Sequence, residues 1–130
     1  MKLTKLFTAA LLVSTITMVS CKDKSAKDLI VNKWHVTNIS GARATDIPDS
    51  VKTQMYSSAV MEFMKDGKFS TTGFGAAKGG TYSVSDDGKS LISTDEGSSS
   101  ADSLTIVEIS KAKMVIEDKK SDMKVTFEVK

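Results

Sequence analysis

From residue 30 onward, apolar and polar positions alternate in short runs, and no long stretch sustains a 3.6-residue period. A period of two puts successive side chains on opposite faces of an extended chain, so each run reads as a strand with one dry and one wet face. The first strand is Val31 to Ser40, with Trp34 and Val36 on one face. Val60 to Lys65 and Lys68 to Gly73 follow, joined at Asp66-Gly67, and Gly80 to Ser85 and Lys89 to Thr94 are joined in the same way at Asp87-Gly88. An Asp-Gly pair between alternating segments predicts a type I′ hairpin, which needs positive φ at both central residues. Met61, Phe63 and Phe69 then point inward, as do Tyr82, Val84 and Leu91. A polar break from Asp95 to Asp102 precedes a sixth strand, Ser103 to Ser110, whose Thr105, Val107 and Ile109 oppose Glu108. The seventh strand is Met114 to Asp118. The eighth, Met123 to Lys130, alternates without a fault.

Only Thr45 to Ala59 has helical spacing: Pro48 suits a first turn, and Val51, Met55 and Ala59 recur every four residues. Eight sequential antiparallel strands can avoid exposed edges by closing into an up-and-down barrel. The expected fold is therefore all-β, a small eight-stranded antiparallel barrel with one short helix. An open sandwich would use the same alternation. The interior of an eight-stranded barrel is just wide enough to be filled by side chains or to hold one small ligand. If it holds an apolar ligand, the inward residues expected to touch it are Trp34, Met61, Phe63, Tyr82, Met114 and Phe127. Met55, Met64 and Met123 add to a methionine content that suits either gap-filling or an adaptable pocket.

The first twenty residues follow a different rule. Lys2 and Lys5 precede a mostly apolar run from Leu6 to Val19, and charge begins abruptly at Lys22. This is the order of a secretory signal, and the run is shorter than the roughly 20 apolar residues a membrane-spanning helix needs. Met18-Val19-Ser20-Cys21 resembles the lipobox of bacterial lipoproteins. That resemblance implies cleavage before Cys21 and acylation of Cys21, with Met18 standing where Leu is usual. Residues 1–20 are then a cleaved signal peptide, 21–28 a lipidated Cys and charged tether, and 29–130 the barrel domain. By the same resemblance, the absence of Asp directly after Cys21 implies an outer-membrane location, facing either the periplasm or the cell surface.

The run Ile30 to Ile39 around Trp34, with Met61 to Phe69 and Gly80 to Leu91, is similar to the lipocalin-like domains of small Gram-negative lipoproteins. In lipocalins a Gly-x-Trp motif opens the first strand and its Trp plugs the closed barrel end. Trp34 matches that position, while Asn32 stands where the Gly would be.

The charge balance narrows the function classes. The chain has 18 Lys+Arg against 16 Asp+Glu, and leaving out Lys2 and Lys5 makes the two signs equal. A neutral domain without a basic block lacks the electrostatic footprint of nucleic-acid binding. One His and one Cys provide neither a two-His metal motif nor a nucleophile–base pair, so neither an enzyme activity nor a metal or cofactor is expected. Gly73 to Gly80 is rich in glycine but matches no phosphate-binding spacing and leads into a strand; it reads as a loop at the barrel mouth. Asp86-Asp87 and Asp95-Glu96 read as solvated turn carboxylates, and His35 as a surface residue. Asn38-Ile-Ser40 is formally a glycosylation sequon; Asp49-Ser50-Val51 and Asp102-Ser103-Leu104 resemble short O-glycosylation sites. Capping or strand entry explains the last two. The leading expectation is a monomeric, lipid-anchored envelope module binding a small hydrophobic ligand. Its alternative is a filled barrel whose loops at 40–50, 73–80 and 95–102 contact a protein or glycan.

Overall fold

The computed structural model describes residues 24–130. The signal peptide and Cys21 lie outside them. Eight antiparallel strands close into a barrel in sequence order: β1 (Lys33–Ser40), β2 (Val60–Phe63), β3 (Lys68–Thr72), β4 (Lys78–Val84), β5 (Ser90–Asp95), β6 (Ala101–Ile109), β7 (Lys113–Asp118) and β8 (Met123–Glu128). Pairing of β1 with β8, through Val36 opposite Phe127 and Ile39 opposite Val125, closes the ring and removes both edges. The open-sandwich alternative is thereby set aside.

The meander sorts the connections by end. The hairpin end carries the β2–β3, β4–β5 and β6–β7 turns and the chain entering β1. The loop end carries the long β1–β2 connection and the β3–β4, β5–β6 and β7–β8 loops. In the β1–β2 connection a 3₁₀ turn (Ala42–Asp46) leads into helix α2 (Asp49–Ser58), which packs on β1. Pro48 is the N-cap and the helix starts later than its periodicity suggested. Tyr56 fixes α2 to the barrel, its hydroxyl accepting the Ile39 N–H at 3.2 Å.

Strand patterning is interrupted twice. The register shifts between Val36 and Asn38 in β1 and between Ile106 and Glu108 in β6. A bulge inserts one residue and so reverses which face the following side chains occupy. In β6 this places Ile106 inside and leaves Val107 49% exposed, contrary to the inward assignment of Thr105 and Val107; Ile109 packs against the core as expected. The turns also differ from type I′. Gly67 and Gly88 have φ of 84° and 71°, but neither Asp66 nor Asp87 has positive φ. Each turn is built instead on a β-turn, with Gly67 N–H donating to Met64 O and Gly88 N–H to Ser85 O. The Asp carboxylates cap the loop, accepting the N–H of Lys68 and of Lys89.

A short helix, α1 (Ala26–Leu29), was not anticipated in the charged run before the barrel. Ile30, directly after it, is fully buried, and its carbonyl accepts the Trp34 indole N–H at 2.8 Å. Lys27 Nζ lies 2.7 Å from Asp86 Oδ1 and ties α1 to the β4–β5 turn. The approach is close: a Cβ on Gly88 would stand 3.1 Å from the Ala26 methyl.

Candidate functional site

The six residues expected to line an interior pocket all turn inward, but they pack on one another. Trp34 and Met114 are fully buried, and Phe127 and Phe63 are 1% and 2% exposed. Trp34 sits opposite Met61 across β1–β2, and Met114 opposite Phe127 across β7–β8. The Phe63 ring meets Tyr82 edge-on at 4.8 Å and Phe69 at 6.2 Å. Met61 and Tyr82 are partly buried against this cluster. Tyr82 reaches its polar partner at the hairpin end, donating its hydroxyl to Met64 O at 2.7 Å. Burial, and secondarily the Asp66 carboxylate, raises its phenol above the ordinary value, which keeps the hydroxyl a donor.

Room for a ligand lies at the loop end and on the adjoining outer wall, and in a hollow of about 360 Å³ at the hairpin end lined by Lys27, Val31, Lys65 and Tyr82. Two hollows of about 550 and 460 Å³ share Gly79, Asp95, Glu96 and Ser98 and form one groove over β3, β4 and β5. Trp34, Phe63, Met114 and Phe127 line neither. Its floor is backbone, because Gly79 and Gly80 carry no side chain. A Cβ on Gly80 would lie 2.1 Å from Thr94 O and 2.8 Å from the Phe69 ring, so glycine alone lets strand and ring approach this closely. Glu96 N–H donates to Gly79 O at 2.8 Å, holding the β5–β6 loop against the start of β4. Thr81 and Thr94, paired across β4–β5, place hydroxyls on the wall. Asp95 and Glu96 supply carboxylates at one end, and Lys68, Met64 and the Phe69 ring supply a cation and apolar surface at the other. Donors, acceptors and one aromatic ring over an open floor suit a polar, multiply hydroxylated or peptide-like ligand better than an acyl chain.

A smaller hollow of about 330 Å³ separates α2 from the β3–β4 loop, lined by Val51, Gln54, Met55, Gly73, Phe74 and Gly75. The loops at 40–50, 73–80 and 95–102 therefore share one end of the barrel. Sequence reasoning placed Gly79 and Gly80 at a loop and strand start and missed Lys68, Thr81 and Thr94 as groove residues. The available signal was a glycine pair inside a strand pattern, which marks close backbone approach.

Among the described residues, no group of three or more His, Cys, Asp or Glu could hold a metal ion, and no helix is long and apolar enough to cross a membrane. The carboxylates with displaced titration are structural. The Lys27 ammonium, which donates a hydrogen bond to Asp86, lowers that carboxyl. The Ser85 hydroxyl, followed by the Lys89 N–H, lowers Asp87. The Ser121 hydroxyl does the same for Asp118 at the β7–β8 loop.

No family model and no curated protein matches this chain. Solved structures do. The crystal structure of a DUF4847 family protein from Bacteroides vulgatus superposes with a TM-score of 0.55 at 11% identity, over 78% of this chain and 94% of that one. A lipocalin-like protein from Bacteroides uniformis gives a TM-score of 0.54 at 15% identity, over 78% of this chain and 99% of that one. At this identity the likeness is one of fold: a small lipocalin-like eight-stranded barrel.

Proposed function

We propose that the protein is a non-enzymatic cell-envelope lipoprotein, anchored through acylated Cys21. Its filled barrel presents a binding groove at the loop end to a polar partner, either a glycan or a protein loop. The observation that carries this reading is the division of the barrel: aromatic and methionine side chains occupy the interior, whereas the space for a ligand is rimmed by carboxylates and hydroxyls. The anchor rests on the lipobox-like run ending at Cys21. Two or more acyl chains hold stably where one holds only marginally.

A second reading, a small hydrophobic ligand inside the barrel touching Trp34, Met61, Phe63, Tyr82, Met114 and Phe127, draws on the methionines around the core. Met55, Met61 and Met123 are partly buried there and have flexible, adaptable side chains. Native mass spectrometry of protein extracted from its own membranes separates the two. The filled-barrel reading predicts the acylated chain with no further small mass. A stoichiometric lipid-like mass, lost on Met114→Trp, would establish the interior ligand instead.

A further inference from the structure

We infer that the barrel stands end-on at the membrane, with its hairpin end against anionic lipid headgroups and its groove facing away. This rests on the proposed acylation of Cys21. Three residues separate Cys21 from Ser25, the N-cap of α1, and fully extended chain spans at most about 3.6 Å per residue, so α1 begins within roughly 15 Å of the lipidated Cys. The point where the chain enters the barrel is fixed. Lys27 pairs with Asp86 on the β4–β5 turn, Ala26 abuts Gly88, and Ile30 is buried beneath the Trp34 indole. A short tether leaving a pinned helix at one end cannot bring the opposite end to the surface.

Charge is distributed to match. At the hairpin end, the entering chain carries Lys24, Lys27 and Lys33 against Asp28. Leaving aside Lys68, which belongs to the groove, the β2–β3 turn balances Lys65 against Asp66, the β6–β7 turn carries Lys111 and Lys113 against Glu108, and the β4–β5 turn holds Asp86 and Asp87 against Lys89. At the loop end the acids Asp46, Asp49, Asp95, Glu96, Asp102, Asp118 and Asp122 outnumber the bases Arg43, Lys52, Lys78, Lys119 and Lys120. Basic residues within a Debye length of an anionic surface are attracted and acidic ones repelled, so both ends favour the same orientation.

The test places a fluorophore in the full-length protein on Ala112→Cys, in the β6–β7 turn, or on Ser99→Cys, in the β5–β6 loop. Once Cys21 is acylated, each variant has a single reactive thiol. Membrane-extracted protein is reconstituted into vesicles of phosphatidylcholine, with or without phosphatidylglycerol, containing a headgroup nitroxide lipid. The label at 112 should be quenched several-fold more than the label at 99, and more so with phosphatidylglycerol. Equal quenching, or stronger quenching at 99, in protein whose intact mass shows the acyl chains would overturn the orientation while leaving the anchor standing. A mass without acyl chains would overturn the anchor, and this inference with it.

Discussion

Replacing Trp34 with Phe tests whether the hairpin end is sealed. The indole N–H is the hydrogen-bond partner of the Ile30 carbonyl, and both residues are fully buried. Removing one partner of a buried pair leaves the other unsatisfied, at a cost of about 1–3 kcal/mol. The smaller ring also leaves a void of roughly 40 Å³, which at ~24 cal/mol per Å³ adds about 1 kcal/mol if the site does not collapse. A total of about 2–4 kcal/mol is a large share of the stability of so small a domain, and corresponds to a fall in Tm of at least ~10 °C. Trp34 is the sole tryptophan, so urea unfolding should be followed by far-UV circular dichroism rather than fluorescence. The midpoint should fall with the m-value unchanged. A loss below about 1 kcal/mol would mean that the Ile30 carbonyl is reached by water and the end is open, contradicting the packing argument.

Other consequences follow from the same geometry. Gly80→Val should destabilise the barrel by about 1–3 kcal/mol through overpacking against Thr94 and Phe69, whereas Thr81→Val on the outer face should stay within ~0.5 kcal/mol; equal effects in chemical denaturation would show that β4 faces the other way. Cys21→Ser should abolish incorporation of labelled fatty acid while leaving the β-rich circular dichroism unchanged, and equal labelling would refute acylation there. Asp118 is held below the ordinary carboxylate range by the Ser121 hydroxyl, so its stabilising contribution is present above the unfolded pKa and lost as pH falls through the lower folded value. Ser121→Ala should return the Asp118 carboxyl toward its ordinary titration by NMR, and no movement would remove the hydroxyl as the cause.

Much of the barrel was legible because a period of two is forced on any strand with one buried face. Met61, Phe63 and Tyr82 were read inward from that rule, and they lie in or against the buried cluster that also holds Trp34, Met114 and Phe127. What alternation cannot show is an inserted residue. The bulges after Val36 and Ile106 reverse the facing within a strand, and Val107 consequently sits outside although its polar neighbours suggested otherwise. Helix α1 was hidden by composition, since a charged run looks solvated until Ile30 and the Lys27–Asp86 pair are seen to hold it down. The groove was illegible for a different reason. It brings Lys68, Gly79, Thr81, Thr94 and Glu96 together from three strands and a loop, and hydroxyls and glycines mark a surface only once pairing sets them side by side.

The central claim, recognition at the loop-end groove and not in the core, is tested most directly by photo-crosslinking in intact cells with a photoreactive amino acid placed site by site. Ala77, Thr81 and Ser98 border the groove, while Lys124 lies in β8, outside the groove. One recurrent adduct, a single protein or glycan species, should form from the three groove positions and not from Lys124. Adducts of the same yield from Lys124, or none from any groove position, would contradict the claim.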